Sequence, residues 1–279
     1  MPSKYHHAVR YQNGQISSGD EALLVEQALE LFIDNQPFTV TMRTPGKDIE
    51  LAMGLLLTEG IILPEGPIPT PQVSLQPQST TIHLLFPKGF YPNIGKRSMV
   101  SVSSCGVCGK QDLEDIGLET HKIQKSGQVA FDDIRQWFTQ MNAYQTDFIQ
   151  TGGAHAAAAF SESGELLSIM EDIGRHNAVD KVIGDLLLRD RLDDAFALTV
   201  SGRISFEIVS KASIANIPVL AAVSAVSGMA AEYAEANNLT LLGFCRNDKA
   251  TCYANSYRLA VRANNHSSQT MLIHPSKNK

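Results

Sequence analysis

Between Phe196 and Cys245 the chain alternates short apolar runs with amphipathic ones: FALTVSG, ISFEIVSKASIAN, IPVLAAVS, GMAAEYAEANN and LTLLGFC. Short apolar runs separated by helical periodicity imply strands buried on both faces. Such strands belong to a largely parallel sheet with helices on both sides. No other feature restricts the fold as much. Just upstream, FDDIRQWFTQM reads as a helix over 132–141, and GGAHAAAAF and ELLSIMED read as two strands joined by a turn at Glu162, Ser163 and Gly164. RHNAVDKVIGDLLLR sets Val179, Val182, Ile183, Leu186 and Leu187 on one helical face, with Asn177 expected as its N-cap. The second half is therefore expected to be an α/β layered domain: a helix, a hairpin, then three helix–strand units.

The first half is less regular. Residues 23–43 alternate as two strands around a turn at Asp34, Asn35, Gln36 and Pro37. DIELAMGLLLT predicts a helix over 48–58, stopped by Gly60, and LPEGPIPTPQ predicts a loop. VSLQ and TTIHLLF are expected strands. The division expected is a smaller α+β domain over residues 1–125 and an α/β domain over 126–279. The first twenty residues and the tail from Asn264 carry no functional signal.

With 43% hydrophobic residues and a net charge of -6, the chain has the core of a globular protein and no overall basic field for nucleic acid or an anionic membrane. No apolar run approaches the ~20 residues that span a bilayer, and the polar start MPSKYHHAVRYQNGQ lacks the apolar core of an export signal. The expected compartment is a reducing cytoplasm.

Two of the four cysteines sit in SSCGVCGK, as Cys105 and Cys108. In a reducing compartment a CxxC pair is catalytic or metal-binding more often than a lasting disulfide. Three readings are open. Structural zinc needs about four ligands, and Cys245 and Cys252 do not repeat the CxxC spacing. A thioredoxin-like pair belongs at a strand-to-helix junction, whereas Gly106 and Gly109 suggest a loop. Persulfide chemistry needs an exposed thiol of low pKa that reaches two partners, and Lys110 and glycine-freed N–H groups favour the thiolate.

Anion-binding signals lie in the second half. TVSGRISFE and AVSAVSGMAAE each run from a strand end through small residues into a helix, so Ser201, Gly202, Arg203, Ser205, Ser224 and Ser227 are candidates to hold a phosphate. Neither GxxxxGK[ST] nor GxGxxG occurs there. FCRNDK adds Phe244, Cys245, Arg246, Asn247, Asp248 and Lys249, with Arg246 and Lys249 suited to phosphate and Asp248 to a base edge. EDIGRHNAVDK is either a ligand-recognising charged cluster or an ordinary capped helix start, a capping box of Asn177 with Asp180 three residues on, and His155 in TGGAHAAAA reads more simply as a packed core group.

SSCGVCGK, TPGKDIELAMGLLLTEGII, EDIGRHNAVDK, SGRISFEIVSKA and NLTLLGFCR, in that order, resemble the formate dehydrogenase accessory sulfurtransferase family, FdhD, over about residues 26–253. The resemblance implies a protein that takes sulfur as a persulfide from a cysteine desulfurase. It would deliver that sulfur to the molybdenum or tungsten bis-guanine-dinucleotide pterin cofactor of formate dehydrogenase, with guanosine diphosphate as a mimic of the nucleotide ends. The persulfide cysteine maps onto Cys105, with Cys108 beside it, and the cofactor-contacting loop maps onto residues 244–249. The family also implies a cytoplasmic homodimer and a cytidine-deaminase-like, three-layer C-terminal domain. Deaminase chemistry itself is absent, since the two helix starts read His176-Asn177-Ala178 and Gly202-Arg203-Ile204-Ser205 and lack the HxE and PCxxC zinc residues. No resident metal is expected. The rival function is a metallopterin carrier with a structural or zinc-binding CxxC.

Overall fold

The computed structural model describes residues 2–92, 122–261 and 271–272. Cys105 and Cys108 lie outside the described residues.

The chain opens with a long two-stranded antiparallel ribbon, β1 (Ser3–Gln12) and β2 (Gln15–Leu24), in register from Ser3 opposite Leu24 to Gln12 opposite Gln15. Tyr5, Val9, Tyr11 and Ile16 are exposed on the ribbon. Sequence patterning missed this element because neither strand buries a face, so no alternation marks it.

β3 (Gln27–Ile33) and β4 (Gln36–Arg43) follow as expected. Asp34 and Asn35 both adopt positive φ, 45° and 66°, as a two-residue hairpin turn requires. α1 (Asp48–Thr58) runs over the span expected, and Gly60 with φ 70° ends it. β5 (Thr70–Leu75) and β6 (Ser79–Leu85) complete a four-stranded sheet ordered β4-β3-β6-β5, in which β3 and β6 are parallel.

The second half supplies β7 (Val129–Ala130), α2 (Phe131–Ala143), α3 (Thr146–Thr151), β8 (His155–Phe160), β9 (Leu166–Asp172) and α4 (Arg175–Leu188). It continues through β10 (Ala197–Val200), α5 (Phe206–Ile214), β11 (Val219–Ala222), α6 (Gly228–Ala236), β12 (Thr240–Arg246), β13 (Lys249–Ala254), β14 (Leu259–Val261) and β15 (Met271–Leu272). A six-stranded sheet is ordered β13-β12-β11-β10-β8-β9. It is less parallel than the strand–helix alternation suggested. Only β10–β11 and β11–β12 run parallel: the short 162–164 and 247–248 turns force antiparallel pairing at both edges, and β8 also runs antiparallel to β10.

Alternation along the central strands divides the sheet's two faces. Ala156, Ala158, Phe160 and Leu242 pack with Ile134, Trp137, Phe138 and Met141 of α2. Ala157, Ala159, Leu198, Leu220 and Leu241 pack on the other side with residues of α4, α5 and α6. The same core continues through α1 to Leu29, Leu31, Ile82 and Leu84 of the four-stranded sheet, so one apolar interior joins the two halves of the chain.

The junction is a close helix crossing. A Cβ built on Gly54 of α1 would stand 1.8 Å from the Asp180 carbonyl oxygen, and one on Gly184 of α4 would stand 1.8 Å from the Glu50 carbonyl oxygen. Only a hydrogen fits at either position. Buried polar groups fix the orientation. Lys211 of α5 donates to both carboxylate oxygens of Asp180 at 2.8 Å, and Thr58 of α1 donates to Asp180 Oδ1 at 2.8 Å. Arg43 forks onto Asp48 at 2.6 and 2.9 Å and reaches Thr80 Oγ1 at 2.7 Å, pinning the start of α1 to β4 and β6.

Candidate functional site

The stretch EDIGRHNAVDK is built around Asp172, whose side chain is fully buried at the end of β9. Its carboxylate takes Lys181 Nζ at 2.8 Å, the Thr44 N–H at 3.1 Å, the Gly174 N–H at 2.8 Å and Asn177 Nδ2 at 3.0 Å. Asn177 therefore does not cap the helix, which begins at Arg175 with Gly174 as N-cap. Its amide instead bridges Asp172 to the Met42 carbonyl at 2.8 Å. Asp180 serves the α1–α5 junction rather than a capping box. Glu171 accepts the Asp147 and Phe148 N–H groups, both at 2.8 Å, at the start of α3. Most of the charged motif thus orients the first turn of α4, and Arg175 and His176 are what it presents.

That turn meets the carboxyl ends of β10 and β11. His176 Nε2 lies 3.4 Å from Ser205 Oγ, so the starts of α4 and α5 face each other. The Ser201 N–H donates to the Ala156 carbonyl and Ser201 Oγ accepts the Ala156 N–H, both at 2.9 Å, which fastens the turn after β10 to β8. Gly202 is buried, and a Cβ there would stand 3.4 Å from both His155 Nδ1 and Arg175 Cδ. Arg203 is exposed beside them. Burial, then the charge of Arg175, hold the His155 imidazole below the usual histidine pKa; Asp172 opposes them and the more weakly acting Arg203 adds to them.

The turn after β11 is laced to the turn after β10. Ile204 N–H donates to the Ala225 carbonyl and Ser227 N–H to the Ile204 carbonyl, both at 3.0 Å. Ser224 contributes its carbonyl to the Phe244 N–H at 3.0 Å. Phe244 adopts φ 53°, a left-handed conformation that a bulky residue avoids, at a register shift between β12 and β13. Gly243 permits it, since a Cβ there would meet Val226 Cγ2 at 2.9 Å and the Ser224 carbonyl at 3.1 Å. Strain of this kind clusters at binding sites.

The rest of the 244–249 segment faces the opposite side of the sheet edge. Cys245, Arg246, Asn247, Asp248 and Lys249 line a cavity of about 820 Å³ with Arg135, Thr139 and Asn142 of α2 and with Val223. That volume suits a drug-sized or nucleotide-sized ligand. Asp248 pairs with Arg135, another lining residue, at 3.2 Å. The α2 residues went unremarked in the sequence, although 135, 139 and 142 recur at helical spacing opposite the buried Trp137 and Met141.

The candidate residues therefore fall into two groups. Ser201, Gly202 and Arg203 gather with His155, Arg175 and Ser205 at the strand ends, while residues 245–249 line the α2 cavity. Ser224 and Phe244 link the two. Cys245 and Cys252 sit on adjacent strands with both thiols buried or half-buried. Burial pushes Cys245 up to about 12 and raises Cys252 as well. Among the described residues no group of three or more His, Cys, Asp or Glu side chains is arranged to hold a metal ion. No helix among them is long and apolar enough to cross a membrane.

Comparison with known proteins places this arrangement. The profile of the FdhD/NarQ family matches residues 24–260. The chain belongs to that family. It is 39% identical over 270 residues to a sulfur carrier protein FdhD of Mycobacterium tuberculosis, covering 91% of this chain and 98% of that protein. An archaeal FdhD, from Sulfolobus acidocaldarius, is 38% identical over 251 residues, covering 90% of this chain and 96% of that one. A crystal structure of a putative formate dehydrogenase accessory protein from Desulfotalea psychrophila superposes with a TM-score of 0.75 at 22% identity, covering 93% of this chain and all of that one. The fold described here is thus one already seen in a crystal, and the family resemblance of the sequence is borne out across both halves.

Proposed function

We propose that this FdhD-family chain is a sulfur carrier that serves formate dehydrogenase maturation, with Cys105 as the carrying atom. The observation that carries the reading is the family match across residues 24–260, which spans the Cys105–Cys108 pair and includes relatives named sulfur carrier proteins. The Cys105 thiolate attacks the outer sulfur of a cysteine desulfurase persulfide. A new S–S bond forms on Cys105 and the desulfurase thiolate leaves. Delivery is to the molybdenum or tungsten bis-guanine-dinucleotide pterin, which is substrate here. Attack by Cys108 on Cys105 Sγ would release the outer sulfur as hydrosulfide and leave a Cys105–Cys108 disulfide, reduced by a thiol before the next cycle.

Several features support the cofactor half of the reading. The α2 cavity is large enough for a nucleotide, and Arg246 and Lys249 lie on its wall with Asp248. Ser201, Gly202, Arg203 and Ser224 lie at adjoining strand ends, the usual ligand position in open α/β sheets. The strand order β9-β8-β10-β11-β12 with helices on both faces suits a cytidine-deaminase-like domain over 126–279, joined to a smaller domain over 1–125. Cytoplasmic location fits a free-thiol carrier. The exposed apolar side chains of the β1–β2 ribbon favour a homodimer.

The test is intact mass after incubation with cysteine and a desulfurase. One added sulfur, lost in Cys105→Ala, is expected. A native protein that stays unmodified while still binding guanosine diphosphate would favour a cofactor carrier, and stoichiometric zinc released in Cys105→Ala and Cys108→Ala would favour a metal clip.

A further inference from the structure

The stretch TPGKDIELAMG contributes neither a carrying thiol nor a candidate cofactor contact, yet its first residue, Thr44, is 2% exposed and is bonded to a segment 128 to 137 residues away. The Thr44 N–H donates to Asp172 Oδ2 at 3.1 Å, its hydroxyl oxygen accepts the Ile173 N–H at 3.0 Å, and its carbonyl accepts Lys181 Nζ at 3.0 Å. Two residues earlier, the Met42 carbonyl accepts Asn177 Nδ2 at 2.8 Å. These bonds fall on a very short piece of chain. β9 ends at Asp172 and α4 begins at Arg175, so Ile173 and Gly174 alone join them. Both N–H groups of that link are held, Ile173's by Thr44 and Gly174's by Asp172 Oδ1 at 2.8 Å.

A two-residue link with both donors fixed sets the direction in which α4 starts. The first turn of α4 reaches the strand ends, where a Cβ on Gly202 would stand 3.4 Å from Arg175 Cδ and where His176 Nε2 lies 3.4 Å from Ser205 Oγ. Thr44 is itself braced. Arg43, just before it, forks onto Asp48 at 2.6 and 2.9 Å, and the Gly46 N–H donates to Asp48 Oδ1 at 3.2 Å, which closes the connection from β4 to α1 around Thr44. Packing alone does not call for a hydroxyl there, since valine has the same shape. What the hydroxyl adds is an acceptor for one backbone donor at the entrance to α4. Without it the Ile173 N–H must turn toward another partner, and Gly174 and Arg175 turn with it.

We propose that Thr44, in the N-terminal half of the chain, is a positioning residue for the strand-end cofactor site in the C-terminal half, acting through Ile173 and Gly174 on the first turn of α4. Thr44 touches no ligand. Hydrogen bonds behind a site hold the side chains that face it, and here that support comes from the other half of the molecule. The inference rests on the cofactor reading above, in which guanosine diphosphate stands for the nucleotide ends of the pterin.

The experiment is calorimetric titration of the full-length protein with guanosine diphosphate, at a temperature well below the unfolding midpoint of each variant. Thr44→Val removes the hydroxyl and keeps the shape, and its affinity is expected to fall about two- to tenfold, the range that one lost hydrogen bond implies. Thr44→Ser restores the acceptor and is expected to keep wild-type affinity. A packing role does not predict that rescue, because serine lacks the methyl group. Asn177→Ala cuts the tie to Met42 from the other side, carries the same expectation as Thr44→Val, and replaces it where Thr44→Val does not fold. Wild-type affinity in whichever of these two folds, or equal weakening in Thr44→Val and Thr44→Ser, overturns the inference and leaves the cofactor reading in place. Absence of saturable binding by the wild-type protein overturns both.

Discussion

Lys181 and Asp172 form an ion pair 2.8 Å long in which neither side chain reaches solvent. The pair holds the beginning of α4 against the end of β4, because Thr44 gives its N–H to Asp172 and its carbonyl to Lys181. Removing one partner strands a buried charge. Asp172→Asn is expected to lower unfolding free energy by about 3–5 kcal/mol, read by urea denaturation. A loss under ~1 kcal/mol would mean that water reaches the pair.

The glycine crossing of α1 and α4 makes a second prediction. Gly54→Ala or Gly184→Ala places a methyl group on a backbone carbonyl that cannot rotate away. Each is expected to cost about 3 kcal/mol, the upper end of ordinary overpacking, even though alanine is the better helix former. Thermal unfolding of the two variants decides it. A neutral or stabilising effect would show that the helices separate freely.

Cys245 sets up a reactivity test. With its thiol pushed up to about 12, the thiolate is negligible at pH 8. Iodoacetamide applied to the native protein at that pH should leave Cys245 unmodified, and denaturant should expose it. Peptide mass mapping reads the difference. Rapid native alkylation of Cys245 would place it on an open surface.

His155 gives a pH dependence with a definite sign. Its folded pKa lies below the ordinary value of 6.5, so the unfolded chain takes up the proton first. Stability is full above that value and declines as pH falls through it, levelling off only below the folded pKa. His155→Gln should flatten the unfolding free energy between neutral pH and about pH 5. An unchanged profile would remove His155 from the account.

The β1–β2 ribbon predicts self-association. Tyr5, Val9, Tyr11 and Ile16 are each at least 70% exposed, and two strands alone are marginal in water. Replacing Tyr5, Val9 and Tyr11 with serine is expected to convert a sedimenting dimer to monomer. Dimers of unchanged strength would assign the interface elsewhere.

The sequence made α1 and the alternation from β10 to β12 readable because each buries a face with its own period. The ribbon at residues 3–24 has no buried face and left no such mark. Asn177 and Asp180 misled for a different reason. Ser, Asn and Asp near a helix start ordinarily cap it, but here a neighbouring helix and strand supply better partners, and those partners lie more than 120 residues away in the chain. His155 was legible only once sheet order showed that β8 begins beside the point where β10 ends in its turn. The 244–249 segment was marked by its basic residues and again by resemblance, while the α2 wall of its cavity needed the fold.

The crossing of α1 on α4 also governs how the chain is made. Thr58 meets Asp180 across 122 residues, so α1 leaves the ribosome long before its partner exists. During that interval the face of α1 around Gly54, which lies against Asp180 of α4 in the finished protein, has no helix to cover it. Nascent chains stalled short of residue 188 should therefore lean on holding chaperones, and release from them should coincide with the emergence of α4.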